Sequence, residues 1–493
     1  MMKEGVGLGG RQNLGLMSMV AKDRFASFTE QELIDLYRFL SSLPEATNSQ
    51  ADAKPESTLI QGVNIIDGTG AAPKFNQDIL ITENTISQIG NSWSLDVRNN
   101  TKILNYSDKY VIPGFIDLHV HLPGKDTPGY APIQEKILER LMEFGITTFL
   151  NPGARPDAGV ELRGRISSGA VVGPRMFTAG RIIDHSPLVE KGFDIWGTKV
   201  ENENMMMEEI RLQADKGVDY IKLYRYLPPN LVKTAIAEAD KFGISVIGHM
   251  GQTSWGEAAQ MGIDMLVHSG WGTPMEEIVN LEDTASASDA QWYAAYADAP
   301  NGQKFAELVK LLLKNKVTIV PTLSIHQAAG GGKDTSLLPL FEVELAPEAH
   351  LPGWWSDGWQ TAHPQYSPDS EEEGYLMETV LFSGMLAILK AYFESGVKIG
   401  VGTDVGNSWM TPGVVFHHEL KLYQQAGLPP LQILKMASLN GADVLGIADQ
   451  TGSIEVNKLA DLIVLNSNPI IDISNTRDIE AVFLSGKRFS PNH

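Results

Sequence analysis

Residues 111–124 read V-I-P-G-F-I-D-L-H-V-H-L-P-G. Val111-Ile112 closes an apolar strand, Pro113-Gly114 makes a turn, and Phe115 to His121 is a second strand with His119 and His121 two residues apart. A strand sends side chains i and i+2 to the same face, so both imidazoles can reach one point. Two neutral imidazoles converging at a strand end make half of a metal site. An isolated H-x-H is weak evidence for a ligand pair; its meaning depends on the polar residues further along the chain.

From 113 to about 449 strands and helices alternate. Strands are expected at Phe115-Val120, Thr147-Leu150, Arg175-Ala179, Tyr220-Leu223, Ser245-Gly248, Met265-Val267, Thr318-Val320 and Lys398-Gly402, with helical patterns between them such as Pro229-Phe242 and Glu378-Glu394. Eight strand–helix units are what a (β/α)8 TIM barrel, an α/β fold, requires, and such barrels carry their chemistry on the C-terminal ends of the strands. A doubly wound open sheet is the rival, but no Gly-rich dinucleotide turn opens a helix after the first strand. On either side of this segment the pattern changes to short strands: Leu59-Ile66, Asp78-Thr82, Thr85-Ile89 and Lys102-Tyr106 before it, Gly452-Ile454, Asp461-Leu465 and Ala481-Leu484 after it. Residues 58–112 and 450–493 are therefore expected to form one small β-sandwich built from both chain ends, flanking a 113–449 barrel.

Four polar residues interrupt otherwise apolar strands. Lys222 lies in D-Y-I-K-L-Y, His249 ends I-S-V-I-G-H, His268 ends I-D-M-L-V-H, and Asp404 ends I-G-V-G-T-D. Each stands at or near the C-terminal end of a strand. A lone strand-end histidine is more often a hydrogen-bonded structural residue, and a strand-end aspartate is often the N-cap of the next helix. A lysine in an apolar strand is harder to dismiss, because burying an unpaired ammonium costs several kcal/mol. Together with His119 and His121, these residues point to one site at one end of the barrel.

At this point the chain resembles the metal-dependent amidohydrolase superfamily, most closely its imidazolonepropionase-like and Xaa-Pro-dipeptidase-like branch. The carriers are P-G-F-I-D-L-H-V-H at 113–121, D-Y-I-K-L-Y at 219–224, G-H at 248–249, G-I-D-M-L-V-H-S at 262–269, G-T-D at 402–404, H-H-E-L at 417–420 and G-S-I-E-V-N-K-L-A-D-L-I-V-L at 452–465. The resemblance runs from about Leu59 to Phe489. It implies two divalent metal ions, with nitrogen and oxygen ligands that suit zinc. His119, His121 and Asp404 would bind the more buried ion, and His249 and His268 the more exposed one. Lys222 would bridge them as a carbamate. A water between the ions would become hydroxide, and Asp404 would take its proton and deliver it to the leaving group.

The chain departs from the family pattern where Val267, rather than a glutamate, precedes the sixth-strand histidine, and where Tyr224-Arg225-Tyr226 replaces a small Gly-rich stretch. Tyr224, Arg225 and His326 are expected at the substrate. For His417 either a structural or a substrate-facing role is expected, rather than metal ligation. The implied activity is hydrolysis of a C–N, amide-type bond in a small peptide-like or cyclic amide. Deamination, hydrolysis of a carbamate, ester or lactone, and a catalytically inactive scaffold are the alternatives.

Between the seventh and eighth strands, 326–373 is far longer than a usual barrel loop. It carries Trp354, Trp355 and Trp359, which would pack over the site mouth or against a subunit neighbour, and Glu371-Glu372-Glu373, read as a solvated tip. A homo-oligomer is expected. At the other end, 24–43 reads as a helix opened by a Thr29/Glu32 capping box and ended by Pro44. Gly9 to Pro44 resembles the C-terminal part of a c-type cytochrome, but the C-x-x-C-H haem attachment is absent, which makes it a remnant. Residues 45–57 read as a linker, so 1–57 is set apart from the rest.

Composition bounds the partners. The 493 residues exceed what one core usually supports. A net charge of -21 argues against a nucleic-acid partner. There is no cysteine, which excludes disulfides, thiolate nucleophiles and cysteine metal sites. No run of about 18 apolar residues appears, so no transmembrane helix or membrane partner is expected. The start does not read as an intact signal peptide, which slightly favours the cytoplasm over the periplasm. A small-molecule substrate is the partner these readings leave.

Overall fold

The computed structural model of the chain describes residues 57–122, 130–185, 197–269, 275–281, 286–330, 371–407 and 410–489. The expected helix at 24–43, the cytochrome-like segment and the tryptophans at 354–359 lie outside these residues. The first described strands are β1 (Ser57–Ile65), β2 (Lys74–Thr82), β3 (Thr85–Asn91), β4 (Lys102–Asn105) and β5 (Tyr110–Pro113). The middle of the chain supplies β6 (Phe115–Asp117), β7 (Ile146–Asn151), β8 (Arg175–Asp184), β9 (Gly197–Lys199), β10 (Tyr220–Leu223), β11 (Ser245–Gly248), β12 (Met265–Val267), β13 (Thr318–Val320) and β14 (Lys398–Ile399). Then come β15 (Leu462–Leu465), β16 (Ile479–Leu484) and β17 (Lys487–Phe489).

Both ends of this stretch feed one mixed sheet, ordered β17-β16-β15-β5-β1-β2-β3, with β4 also on β1. Hydrogen bonding links all these strands into one continuous sheet, and Ile60, Val63, Ile79, Ile86, Leu462, Val464 and Phe483, from both ends of it, share one buried core. β1 makes the link. Its first half, Thr58–Gln61, pairs with β4 and its second, Asn64–Ile65, with β5, while its register with β2 shifts between Ile60 and Val63 and again between Val63 and Ile65. Gly452-Ser453-Ile454, expected as a strand, lies outside any strand.

The second sheet runs β6-β7-β8-β10-β11-β12-β13-β14 with every pair parallel, and β9 is added beside β8. Helices separate successive strands, among them Tyr130–Glu143, Pro156–Ser167, Glu203–Lys216, Pro229–Asp240, Trp255–Met261, Gln303–Lys314, Phe382–Glu394 and Val414–Gln425. Past the last residues of the strands, Leu118 N–H donates to Val401 C=O at 2.9 Å, Asp404 N–H to His119 C=O at 2.8 Å and His121 N–H to Val405 C=O at 2.6 Å. The first and last strands are thereby linked, and the arrangement is TIM-barrel-like.

Alternation divides the core into layers. Ile116, Leu118, Leu150, Ala179, Tyr220, Ile247, Met265, Val267 and Val320 belong to one buried cluster of inward side chains. Their neighbours Phe149, Ile221, Leu223, Val246, Leu266 and Ile319 belong instead to the larger cluster shared with the helices. Lys222 stands two residues beyond Tyr220, hence on the inward face.

Glu371 opens a helix, Glu371–Leu376, rather than a loop tip, and a wide π turn at Met377–Leu381 leads into Phe382–Glu394. The 22 residues Glu373–Glu394 are long and apolar enough to pass for a membrane span by length and composition alone. Leu381, Met385, Ile388, Leu389 and Tyr392 are buried in the core, as a core helix requires.

No described strand begins before Ser57, and the described residues belong to one compact unit that starts there. A chain starting at about Pro55 is expected to fold and to bind metal as the full chain does. Circular dichroism and metal analysis of that chain check it; loss of the cooperative unfolding transition is the contrary result.

Candidate metal centre

The centre begins at the edge where β6 meets the end of β14. Asp117 and Thr403 are both fully buried. Asp117 accepts hydrogen bonds from Thr403 Oγ1 at 2.7 Å, Thr403 N–H at 3.1 Å and His119 N–H at 3.1 Å. One carboxyl thus grips the backbones of the two segments that carry His119, His121 and Asp404. Burial pushes Asp117 up to about 7, against those three hydrogen bonds. Close approach here demands glycine. A Cβ on Gly402 would lie 2.5 Å from Val320 Cγ1 and 2.9 Å from His119 Cβ, and one on Gly406 2.5 Å from the His121 carbonyl.

His119 Nε2 and His121 Nε2 lie 3.3 and 3.4 Å from Asp404 Oδ1. The ligand atoms of the three residues all fall within 4.8 Å of one another, close enough to hold one metal ion. Asp404 occupies left-handed backbone at φ 63°, as does His268 at φ 65°. Strained conformations at two site residues are typical of positions that the surrounding structure over-determines.

The imidazoles continue from this group. The His119 ring centroid is 4.8 Å from that of His268, which is 4.3 Å from that of His249. Burial, with smaller contributions from neighbouring charges including Lys222, holds His119, His249 and His268 well below the ordinary histidine range. They are neutral, the form in which imidazole binds a metal. Lys222 is 1% exposed, and its Nζ has no hydrogen-bond partner among the described residues. Burial brings it down to about 7, with Asp404 pulling the other way. For Asp404 burial is the largest influence and raises it, but the hydrogen bond from His121 and the charges of His268, His121 and Lys222 prevail and leave it below the usual carboxylate value.

Both nitrogens of His249 and Nδ1 of His119 are also buried without a partner among the described residues. Native proteins rarely leave so many buried polar atoms unsatisfied in one place. A set of neutral imidazoles, one carboxylate and an amine with open valences fits divalent cations.

Around the cluster, the Tyr224 ring meets His249 edge-on at 4.7 Å, and the charge of Arg225 acts on His249 and on buried Asp184. His326, on the helix Leu323–Gly330, sits edge-on to His268 with centroids 6.1 Å apart; burial brings it down to about 4. His417 lies elsewhere. Its Nδ1 is 2.8 Å from Thr476 Oγ1 and its Nε2 is 3.0 Å from the Phe144 carbonyl, so of its two expected roles the structure supports the structural one. His418 Nε2 pairs with Gln327 Oε1 at 2.6 Å. Glu419 is fully buried and accepts from Leu323 N–H, Ser324 N–H and Ser324 Oγ at 2.8, 2.7 and 2.6 Å, capping the helix that carries His326.

Burial lowers His417 to about 3 and His418 to about 4. Both stay neutral in the fold while the unfolded chain takes up protons below about 6.5. Their stabilisation is present above pH 6.5 and is lost as pH falls toward those values, by about 1 kcal/mol per histidine at pH 5.5. Urea unfolding at pH 7.5 and 5.5 on metal-free protein checks this. The pH slope should be shallower in His417→Asn, and an unchanged slope is the contrary result.

Asp117 and Thr403 went unassigned in the sequence, although they stand inside D-L-H-V-H and G-T-D. Their shared role needs a contact across 286 positions.

The amidohydrolase family's sequence model matches residues 110–489. Among relatives, 5-methylthioadenosine/S-adenosylhomocysteine deaminase of Thermoanaerobacter pseudethanolicus is 26% identical over 203 residues, spanning 37% of this chain and 41% of that protein. The enzyme of the same name from Bacillus cereus is 22% identical over 474 residues, 84% of this chain and 91% of that one. Among solved structures, a Xaa-Pro dipeptidase with methionine bound in its active site superposes with a TM-score of 0.64 at 22% identity, over 88% of this chain and all of that one.

Proposed function

We propose that this chain, which belongs to the amidohydrolase family, hydrolyses carbon–nitrogen bonds and cleaves the amide-type bond of a small peptide-like or cyclic amide. In this reading the parallel sheet is a closed eight-stranded barrel, completed by the Leu118–Val401 and His121–Val405 hydrogen bonds. The site lies at the C-terminal ends of its strands, where such barrels carry their chemistry.

His119, His121 and Asp404 would hold one divalent ion, zinc being the natural choice for this donor set, and His249 and His268 a second. Lys222 would join the two as a carbamate. The observation that carries this is the bare Nζ of Lys222, buried beside neutral imidazoles and one carboxylate with no partner among the described residues. Near pH 7 much of an amine lowered to about 7 is neutral, the form that takes up carbon dioxide. The product is anionic, which removes the problem of an isolated buried cation.

When bound, the ions would acidify a water and polarise the scissile carbonyl. The remaining steps fall to side chains. Asp404, already ionised at neutral pH, accepts the water's proton at its carboxylate and returns it to the leaving nitrogen. Tyr224 and Arg225 on one side and His326 on the other border the cluster and would orient the substrate.

The similarity to deaminases named above favours one second reading, hydrolysis of an amidine C–N bond with release of ammonia. A panel of dipeptides, hydantoins, carbamates and aminopurine nucleosides, with zinc counted in the same preparation, tests both. Turnover of dipeptides or cyclic amides supports the first reading, ammonia release from the nucleosides the second, and turnover of none of the amides defeats the first.

A further inference from the structure

Thr322 is fully buried immediately after β13, and its backbone is left-handed at φ 52°. That conformation is rare for a β-branched residue. Two features hold it there. Glu419 caps the next two residues, binding the N–H groups of Leu323 and Ser324. The adjacent β12 keeps step, because His268 N–H donates to Val320 C=O at 3.0 Å and Ser269 N–H to Pro321 C=O at 3.2 Å. On the far side, Tyr296 Oη donates to the Ser269 carbonyl. Thr322 and His268 therefore face each other from neighbouring strand ends, each in left-handed backbone.

The Thr322 hydroxyl lies 2.7 Å from the Pro321 carbonyl oxygen and 2.7 Å from His268 Nδ1. Two oxygens that close need a proton between them, and the hydroxyl's only hydrogen is thereby committed to the carbonyl. Toward His268 the hydroxyl can then only accept. Nδ1 must carry the imidazole proton, and the lone pair of a neutral ring is left on Nε2.

We propose that Thr322 is a positioning residue for the metal centre: by accepting from Nδ1–H it fixes the tautomer and rotation of His268 and presents Nε2 as the ligand atom. The proposal rests on the reading of His268 as a metal ligand. Partners that fix the other nitrogen of a ligating histidine are worth roughly 10–100-fold in metal affinity.

The test titrates the full chain, stripped of metal, with zinc against a competing chelator. Thr322→Val keeps the shape and loses the acceptor; one of the zinc equivalents should weaken about 10–100-fold. Thr322→Ser keeps the acceptor and should bind within a few-fold of wild type. Wild-type zinc binding in Thr322→Val overturns the proposal. His268→Asn separates this from failure of the underlying reading: if that variant also binds all the zinc, His268 is not a ligand. Should Thr322→Val not fold, the tautomer is read on the metal-free wild type by nitrogen NMR with labelled histidine, the His268 signals being assigned by their loss in His268→Asn. Nδ1–H is the expected form, and Nε2–H overturns the proposal.

Discussion

Lys222→Ala is expected to retain at most one of two zinc equivalents, lost chiefly from the His249–His268 position, and to keep less than about one hundredth of the activity. Strand β10 sends Ile221 and Leu223 to the layer beneath the helices and Tyr220 and Lys222 inward. The amine therefore ends among His119, His249, His268 and Asp404, on each of which its charge acts. A bare ammonium there would be repelled by any divalent ion. Two such ions need an anion between them, and a carbamate supplies one at the reach of the lysine stem. Acetate or propionate added to the variant should restore a little metal and a little turnover. The competing arrangement is a one-metal site in which Lys222 pairs with Asp404. One zinc equivalent in both wild type and variant would establish that arrangement and remove the bridge.

Asp404→Asn should keep much of its metal and lose turnover by about 10²–10⁴-fold, the usual worth of a positioned proton-transfer group. The substitution is well suited to the question because the backbone at 404 has a hydrogen bond of its own and a conformation that asparagine shares. Its N–H donates to the His119 carbonyl, and its φ of 63° is one that asparagine tolerates as well as aspartate. An amide at the same place still offers an oxygen to a cation but cannot take and return a proton. Single-turnover kinetics alongside metal analysis separate the two effects. Activity within a few-fold of wild type would strip Asp404 of the proton-transfer role. Loss of all metal would make it a ligand first.

The strands that could be read from the sequence are those in which pattern and punctuation agree. β10, β11, β12 and β13 fall on the expected residues because each is a short, mostly apolar run; β11 and β12 end at a histidine, β13 at Pro321, and β10 carries Lys222 within it. β9 was missed, since the three residues Gly197–Lys199 have no alternation to detect. The strand expected at Lys398-Gly402 is assigned at only two residues, although Gly400 N–H still donates to Ile319 C=O and Val401 C=O still accepts from Leu118 N–H. The inward histidines, the lysine and the aspartate were legible as polar residues within or ending apolar runs. The groups that hold them were not. Asp117 grips Thr403, and Glu419 caps Leu323 and Ser324, across contacts that no local pattern encodes. His417 stands in a family motif, and of the two roles expected for it the structural one agrees with its bonds to Phe144 and Thr476.

The join between the first and last strands also has a consequence for biosynthesis. The Asp117–Thr403 contact spans 286 positions, so on a ribosome adding roughly 5–20 residues per second the β6 edge waits on the order of 15–60 s for its partner. Throughout that interval His119 and His121 are already made while Asp404 is not. A nascent chain can present the first two ligands but cannot complete the three-ligand group until the segment after β14 has emerged. Metal captured by all three ligands would thus report a chain made at least as far as Asp404. Any pause or truncation before Val405 leaves an open parallel edge, the kind of exposed ladder that recruits chaperones or other unfinished chains.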